Sequence, residues 1–537
     1  MRRARSITWL ALPVALVLAA AGCGSGGDTN SAGSGGESGT VSIYGTEPKA
    51  TLLPANTTEL GGNKAVSALY VGLLAYRPED AKPYNLMADS IKTSDAKVFD
   101  ITIKKGWKFH DGSEVKAKNY VDAWNYGAYA PNAQQAASFF ENIQGYADVN
   151  PPKEGDKPTA QTMSGLKVLG DYEFQVTLNA PFSVFQTKLG FSAFYPLPDA
   201  FFKDPKGFAD KPIGNGPMKF VSRTPNADIK LTRFDDYQGE NKVHFKDLDI
   251  KIYSSQEAAY SDLLAGNLDF MEALPPNAKV ADKYKADLGD HVLTTHLLGI
   301  STIAIPYYVP GYNNLDLRKA ISLAIDRDKI TKTVLNGSYV PADGWISSGI
   351  EGYQPDVCGE WCKFDPAKAK DYFQKSGFTG KLTIASNADG GRKEPLEAAC
   401  ASIAQTLGVS CEFVPSTNFG AFRQLADSHQ FTGMSRMDWS ADYPSIEDFL
   451  TPIYRTGGSS NDSLYSNPEF DKLLAQADAT ADKDAAIKIY QQAHALLAKD
   501  LPSVPVWDEK GIGGFSKNLK AAKLNFQRQA EISEFRL

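Results

Sequence analysis

Leu317-Arg-Lys-Ala-Ile-Ser-Leu-Ala-Ile-Asp-Arg327 spaces Leu317, Ala320, Ile321, Ala324 and Ile325 three and four residues apart, with charged residues between them. That spacing gives an amphipathic helix, and the pattern continues over 317–335. Strands and helices alternate on both sides of it. Upstream, 99–104 has the two-residue period of a strand, 119–126 the period of a helix, and 219–234 reads as two strands joined at Thr-Pro-Asn-Ala. Downstream, 367–375 is a second amphipathic helix, 381–385 a strand, 395–407 and 484–499 helices, and 503–507 a strand. No short-period repeat is present. The fold class is α/β with mixed sheets.

The chain opens on a leader. Arg2, Arg3 and Arg5 precede an apolar run over 7–19 that is too short to cross a bilayer. Ala20-Ala21-Gly22 then leads into Cys23 and a Gly/Ser-rich stretch ending at Thr40. This resembles a bacterial lipoprotein signal, in which 1–22 is removed, the Cys23 thiol is acylated and 23–40 is a flexible tether. Ala20 stands where such signals usually carry Leu. A cleaved secretory peptide with an incidental Cys23 is the plain alternative. Arg2-Arg3 lacks the preceding Ser and following Phe-Leu of a twin-arginine signal, so ordinary secretion is expected. Losing the three leader arginines takes the formal charge of the 537-residue chain from −7 to −10. An acidic body suits neither nucleic acid nor anionic lipid, so the membrane is reached through the lipid anchor alone. The roughly 500 residues that remain allow several domains with sizeable cores.

Signatures of catalysis are missing. The six histidines are scattered, and His291 and His296 do not share a helical face. The sequence has no His-Glu-x-x-His, no Gly-x-Ser-x-Gly, no phosphate-binding Gly-x-x-x-x-Gly-Lys and no dinucleotide fingerprint. Gly214-Asn215-Gly216-Pro217 leads into a strand, so it is a tight turn rather than a phosphate cradle. His110-Asp111-Gly112 has the look of half an acid/base pair but reads better as a turn with a capping Asp. Apart from Cys23 there are four cysteines, Cys358, Cys362, Cys400 and Cys411. In an exported chain an even number favours disulfides, with three possible connectivities; 358 with 362 and 400 with 411 is the expected one. A zinc site is the alternative, but no ribbon or finger spacing fits and no histidine lies close. No metal or cofactor is expected.

Several blocks, taken in order, resemble one family. They are Tyr70-Val-Gly-Leu-Leu-Ala-Tyr76, with Val71 in an acidic place, Ile103-Lys-Lys-Gly-Trp-Lys-Phe-His-Asp-Gly112, Gly214-Asn-Gly-Pro-Met-Lys-Phe220, Leu264-Ala-Gly-Asn-Leu-Asp269, the 317–327 helix, Phe364-Asp-Pro-Ala-Lys-Ala-Lys370 and Asn467-Pro-Glu-Phe-Asp471. The family is that of the extracytoplasmic solute-binding proteins of ABC importers, in the large oligopeptide- and dipeptide-binding class. The resemblance implies a periplasmic-binding-protein-like two-lobed clamp (type II) of three domains with mixed sheets. Domain I would comprise 41–75, 210–303 and 513–537, domain II 76–209 and domain III 304–512. Chain crossings between lobes would form a hinge, and the lobes would close over a ligand without turning it over.

Within Arg436-Met-Asp-Trp439-Ser-Ala-Asp442-Tyr443 the resemblance becomes specific to peptides. Asp442 matches the Asp that accepts a peptide's α-ammonium in this class, and a charge-assisted hydrogen bond there fixes register without reading side chains. Arg436 matches an Arg near the ligand's carboxylate end, for which a planar fork is suited. Trp439 would form a wall, and the main chain around Asp438 and Ser440 would pair with the peptide as an added strand. Thr58, Glu59 and Leu60 would supply the facing edge, after a Thr51-Leu-Leu-Pro54 in which Leu53 replaces the usual Asp. Arg392, a looser match after Asn387, would serve the carboxylate of a longer peptide. Each also has a plain structural reading: Asp442 as a turn cap before Pro444, Arg436 in a salt bridge with Asp438 or Asp442, Trp439 as core.

The resulting expectation is a monomeric, lipid-anchored receptor outside the cytoplasmic membrane that hands short peptides to an ABC permease and its ATPases. Within the same fold the solute could instead be an oligosaccharide, a metal complex or haem, and the same body could serve as a peptide-sensing receptor. A surface hydrolase is disfavoured by the missing nucleophile-base signature.

Overall fold

The computed structural model describes residues 38–48, 51–153, 155–388, 392–417 and 419–537. The leader, Cys23 and the tether as far as 37 lie outside the described residues. The fold takes hold at Gly39, two residues before the expected Val41, because the Gly39 carbonyl accepts the amides of Lys246 and Asp247 and Thr40 opens the first strand.

Eleven strands form one large sheet: β1 (Thr40–Gly45), β2 (Met218–Thr224), β3 (Asp228–Arg233), β4 (Asp247–Ile252), β5 (Phe270–Met271), β6 (Val292–Ala304), β7 (Tyr339–Pro341), β8 (Leu382–Asn387), β9 (Cys411–Ser416), β10 (Met434–Ser440) and β11 (Ser503–Phe515). They lie in the order β9-β8-β10-β6-β11-β5-β1-β4-β3-β2, with β7 beside β11. Parallel pairs (β1 with β4, β8 with β9) sit beside antiparallel ones, as a mixed sheet requires. The strands expected at 219–234 are β2 and β3, and their turn at 224–227 falls where the sequence puts it. Smaller antiparallel sheets are built from 88–92, 98–103, 166–170 and 173–177, and from 74–76 with 83–85.

β6 and β11 have 13 residues each and carry the sheet from one half to the other. The first part of β6, from Val292 to His296, pairs with Gly514 to Lys510, and the second, from Ile300 to Ala304, pairs with Asp508 to Ser503, with the register shifting between them. The boundaries expected at 303/304 and 512/513 fall inside these two strands. Their far ends serve different cores. One packs Tyr44, Leu263, Met271 and Ile512 together, the other Ile303, Leu317, Ile321, Ile384, Ile403 and Val504.

The 317–335 stretch is two helices rather than the one its periodicity suggests: α2 (Leu315–Leu323) and α3 (Arg327–Thr333). Asn314 caps the first through the amides of Asp316 and Leu317, and Asp326 caps the second through the amide of Lys329. An Asp that accepts a main-chain amide in this way favours a new helix start over continuation. Leu317, Ala320, Ile321, Ala324 and Ile325 are all buried, as the pattern demands. Arg327 is buried with them, donating to the carbonyls of Pro505, Ser322 and Ile325 and to Ser322 Oγ.

Several quoted blocks serve as joints. Asp269 accepts from Ser42, Ser516 and Asn518, tying three distant pieces together. Asn215, fully buried, exchanges two hydrogen bonds with the main chain of Val71. A Cβ on Gly214 would fall 1.8 Å from the Leu69 carbonyl oxygen, so this close approach requires glycine. His110 receives the Gly214 amide on Nδ1 and meets the Gly216 carbonyl through Nε2, and burial pushes its pKa down to about 4. Asp111 accepts from Ser113 within the turn. The Cys358–Cys362 and Cys400–Cys411 disulfides are present as expected. Among the described residues no helix is long and apolar enough to cross a membrane.

Candidate functional site

β10 is a strand with one edge half covered. On one side it pairs antiparallel with β6 from Gly299↔Ser440 to Ala304↔Ser435. On the other, among the described residues, its neighbour β8 reaches only Met434 and Ser435. The Ala441 amide donates to Leu298 O at 2.7 Å, which fixes the alternation. The main-chain groups of Met437 and Trp439 therefore face β6, and those of Arg436, Asp438 and Ser440 face the uncovered side. The residues expected to pair with an added strand point the right way for it.

On the side-chain face shared by Arg436 and Asp438, a network of charges assembles. Arg392 Nε donates to Asp438 Oδ2 at 2.6 Å, and Arg436 Nη1 reaches the same oxygen at 3.2 Å. Arg436 Nε also donates to Asn387 Oδ1, and Arg392 Nη1 to the Tyr339 hydroxyl. Two guanidiniums thus share the Asp438 carboxylate. Burial lowers the pKa of Arg436, with Asp438 opposing the shift and Arg392 adding to it. Burial also works against the charge on Arg392, but Asp438, Tyr339 and Glu509 together outweigh it and hold the group above its ordinary value. The expected Arg436–Asp438 salt bridge exists, and the loosely matched Arg392 is brought into the same cluster.

At the far end of β10 the charge is negative. Trp439 Nε1 and the Asp442 amide both donate to Asp448 Oδ2, at 3.1 and 2.9 Å, on the helix α4 (Glu447–Tyr454). Tyr443 donates to Glu447 at 2.7 Å. Asp448 and Glu447 are buried, and their pKa values are raised, for Asp448 by burial first and then by the charges of Asp442 and Glu447. The Asp442 side chain is exposed, yet surrounding protein atoms still lift its carboxyl above the ordinary range. Its carboxylate makes no hydrogen bond or ion pair among the described residues. The opposing charge is Lys188, buried, bonded to Asn142 and lying over the rings of Phe139 and Tyr443. Lys188, Glu447 and Asp448 escaped the sequence reading. The two carboxylates stand directly after the quoted block, and three acids within seven residues were the available signal.

Thr58, Glu59 and Leu60 form a helix entrance instead of a regular strand. Glu59 is extended and caps the Gly62 amide, Leu60 begins α1 (Leu60–Leu69), and Thr58 donates to Gln135.

A mixed sheet carried between two halves by two long strands, with a charged cleft along an uncovered strand edge, describes a two-lobed solute-binding protein. Residues 82–461 match the family description "Bacterial extracellular solute-binding proteins, family 5 Middle", and the chain belongs to that family. It is therefore a binding protein that works outside the cytoplasm, not an enzyme. It is 26% identical over 530 residues to the oligopeptide-binding protein OppA of Bacillus subtilis, covering 94% of each chain. Its fold is similar to the unliganded open form of the periplasmic murein tripeptide binding protein MppA, with a TM-score of 0.82, 22% identity and coverage of 93% and 98%. Similarity to Haemophilus influenzae OppA in complex with RPPGFSPFR gives 0.69 at 22% identity, covering 93% and 99%.

Proposed function

We propose that this chain captures short peptides by their termini and main chain and delivers them to an ABC permease with its ATPases, acting as a monomer anchored through lipid on Cys23. The observation that carries the reading is the uncovered edge of β10, with guanidiniums at Arg436 and Arg392 and the unengaged carboxylate of Asp442 beyond the other end. From Arg436 to Asp442 an extended chain covers roughly 20 Å. A peptide laid there would add a strand, with its ammonium at Asp442 and its carboxylate toward the arginines. The kinship with oligopeptide-binding proteins supports the same solute class. We take 41–75, 210–303 and 513–537 as one domain, 76–209 as a second and 304–512 as a third, with β6 and β11 as the crossings that flex. Thr58–Leu60 would contribute through the extended backbone before α1.

Native and denaturing mass spectra of the body from Gly39 onward test this. A spread of peptide masses, one per protein, is expected; a single non-peptide mass would replace the reading with another solute.

The pH dependence supplies a second check. Asp442 is raised in the empty cleft, and a bound ammonium favours its ionised form, so binding expels a proton below that raised value. Affinity for an unblocked peptide should rise severalfold as the pH climbs through the raised Asp442 value, then fall as the peptide's own amine loses its proton near about pH 8. An N-acetylated peptide should bind weakly and show neither limb. Parallel titration curves for the two peptides would refute the assignment of Asp442.

A further inference from the structure

A cavity of about 490 Å³ lies where the first domain's helix, the 76–84 turn, the loop around Tyr195 and the C-terminal segment meet. Asp442, Arg436, Arg392 and Trp439 do not line it. Its size is that of a small-molecule site.

Its walls are aromatic and are held in place. The Tyr76 ring meets Phe526 edge-on at 5.8 Å, and Phe191 is stacked on Phe139 at 4.1 Å. Tyr76 is anchored through its hydroxyl to Thr187 O, and Tyr195 to Gly190 O. Tyr84 stands beside carboxylates: burial first, then Glu240 and Glu531, push its hydroxyl up to about 12.

Glu531 gives the cavity its chemistry. Its carboxyl accepts from Ser533 Oγ at 2.7 Å, and among the described residues no cation forms an ion pair with it. The nearby Lys523 is spent on Glu79. Three other cations around the cavity are engaged, Lys64 with Glu272, Arg536 with the carbonyls of Ser533 and Phe535, and Arg77 over the Tyr84 ring, while Lys242, also in the wall, makes no ion pair with Glu531 among the described residues. A deep carboxylate with no direct ion pair among the described residues, Lys523 acting on it only from its own pair with Glu79, and set among phenol and phenyl rings, is a pattern that takes up an organic cation through a charge-assisted hydrogen bond and the ring faces.

We propose that this cavity is a second ligand site, for a small organic ammonium with a flat apolar body, its nitrogen on Glu531 and its body between Tyr84, Tyr195 and Phe526. The site shares none of Asp442, Arg436, Arg392 and Trp439 with the proposed peptide cleft and does not rest on that reading.

Dansylcadaverine, an aryl sulfonamide bearing a primary amine, is a suitable probe because its fluorescence rises on burial. The expected result with the mature chain is one dye per protein, about tenfold weaker binding after the dye's amine is acetylated, and a similar loss in Glu531→Gln. Tyr84→Ala should weaken the dye as well, and trialanine should not displace it. No fluorescence rise, equal binding of amine and acetylated dye, or equal binding by a folded Glu531→Gln would each overturn the proposal. Displacement by trialanine would overturn it too, by placing the dye in the cleft along β10. The comparison of the two dyes uses the parent protein, so it stands even if a variant fails to fold. Trialanine affinity, measured separately, tests the peptide reading.

Discussion

Asp442→Ala weakens binding of a short unblocked peptide by about 100-fold, because the ligand's ammonium is left in a closing cleft without its charged acceptor. Charge-assisted hydrogen bonds are worth roughly 1.5–3 kcal/mol each, and the stranded ammonium adds its own desolvation penalty. Asp448 does not substitute. Its Oδ2 already receives the Trp439 indole and the Asp442 amide, and burial among acids holds its pKa up. Asp442→Asn keeps the shape and loses the charge, so most of the loss should persist. Calorimetric titration of the variant against trialanine and its N-acetylated form is the check: the acetylated peptide should hardly distinguish the parent from the variant. A loss below about threefold for the free peptide would mean that the ammonium sits elsewhere.

The sequence made some of this legible because some constraints are local. Periodicity located most strands and helices, and the Asp442 block drew attention to β10 and the turn that follows it. What remained hidden depends on partners far away in the chain. The long reach of β6 and β11 follows from their pairing with each other, and 503–507 alone does not reveal a strand that continues to Phe515. The two-way orientation of β10 depends on a partner 135 residues distant, as the Thr302 to Met437 hydrogen bond illustrates. Lys188 follows Gln186-Thr187 with nothing in the local pattern to mark it, and shows its role only once Tyr443 is folded against it. The 317–335 pattern misled for the opposite reason. Its hydrophobic spacing passes smoothly through Asp326, while the competing cap at that residue divides the helix.

Arg327→Met lowers stability by about 3 kcal/mol, although Met has similar reach and suits an apolar surrounding. The guanidinium makes four hydrogen bonds, three of them to carbonyls, and joins the α2–α3 turn to Pro505 on β11. Burial of the charge opposes this and pushes the pKa down to about 9, but the group stays protonated at neutral pH, so the bonds outweigh the desolvation. Met removes the charge and leaves the carbonyls of Pro505, Ser322 and Ile325 each short of a donor. Lys, a point charge on one stem, should recover only part of the loss, since it cannot donate to both elements in the fixed fork of arginine. Urea unfolding followed by tryptophan fluorescence should show an earlier first transition for Arg327→Met, with Arg327→Lys between it and the parent. Coincident curves for Met and parent would show that water replaces the donors, and that shape alone holds the helix pair against β11.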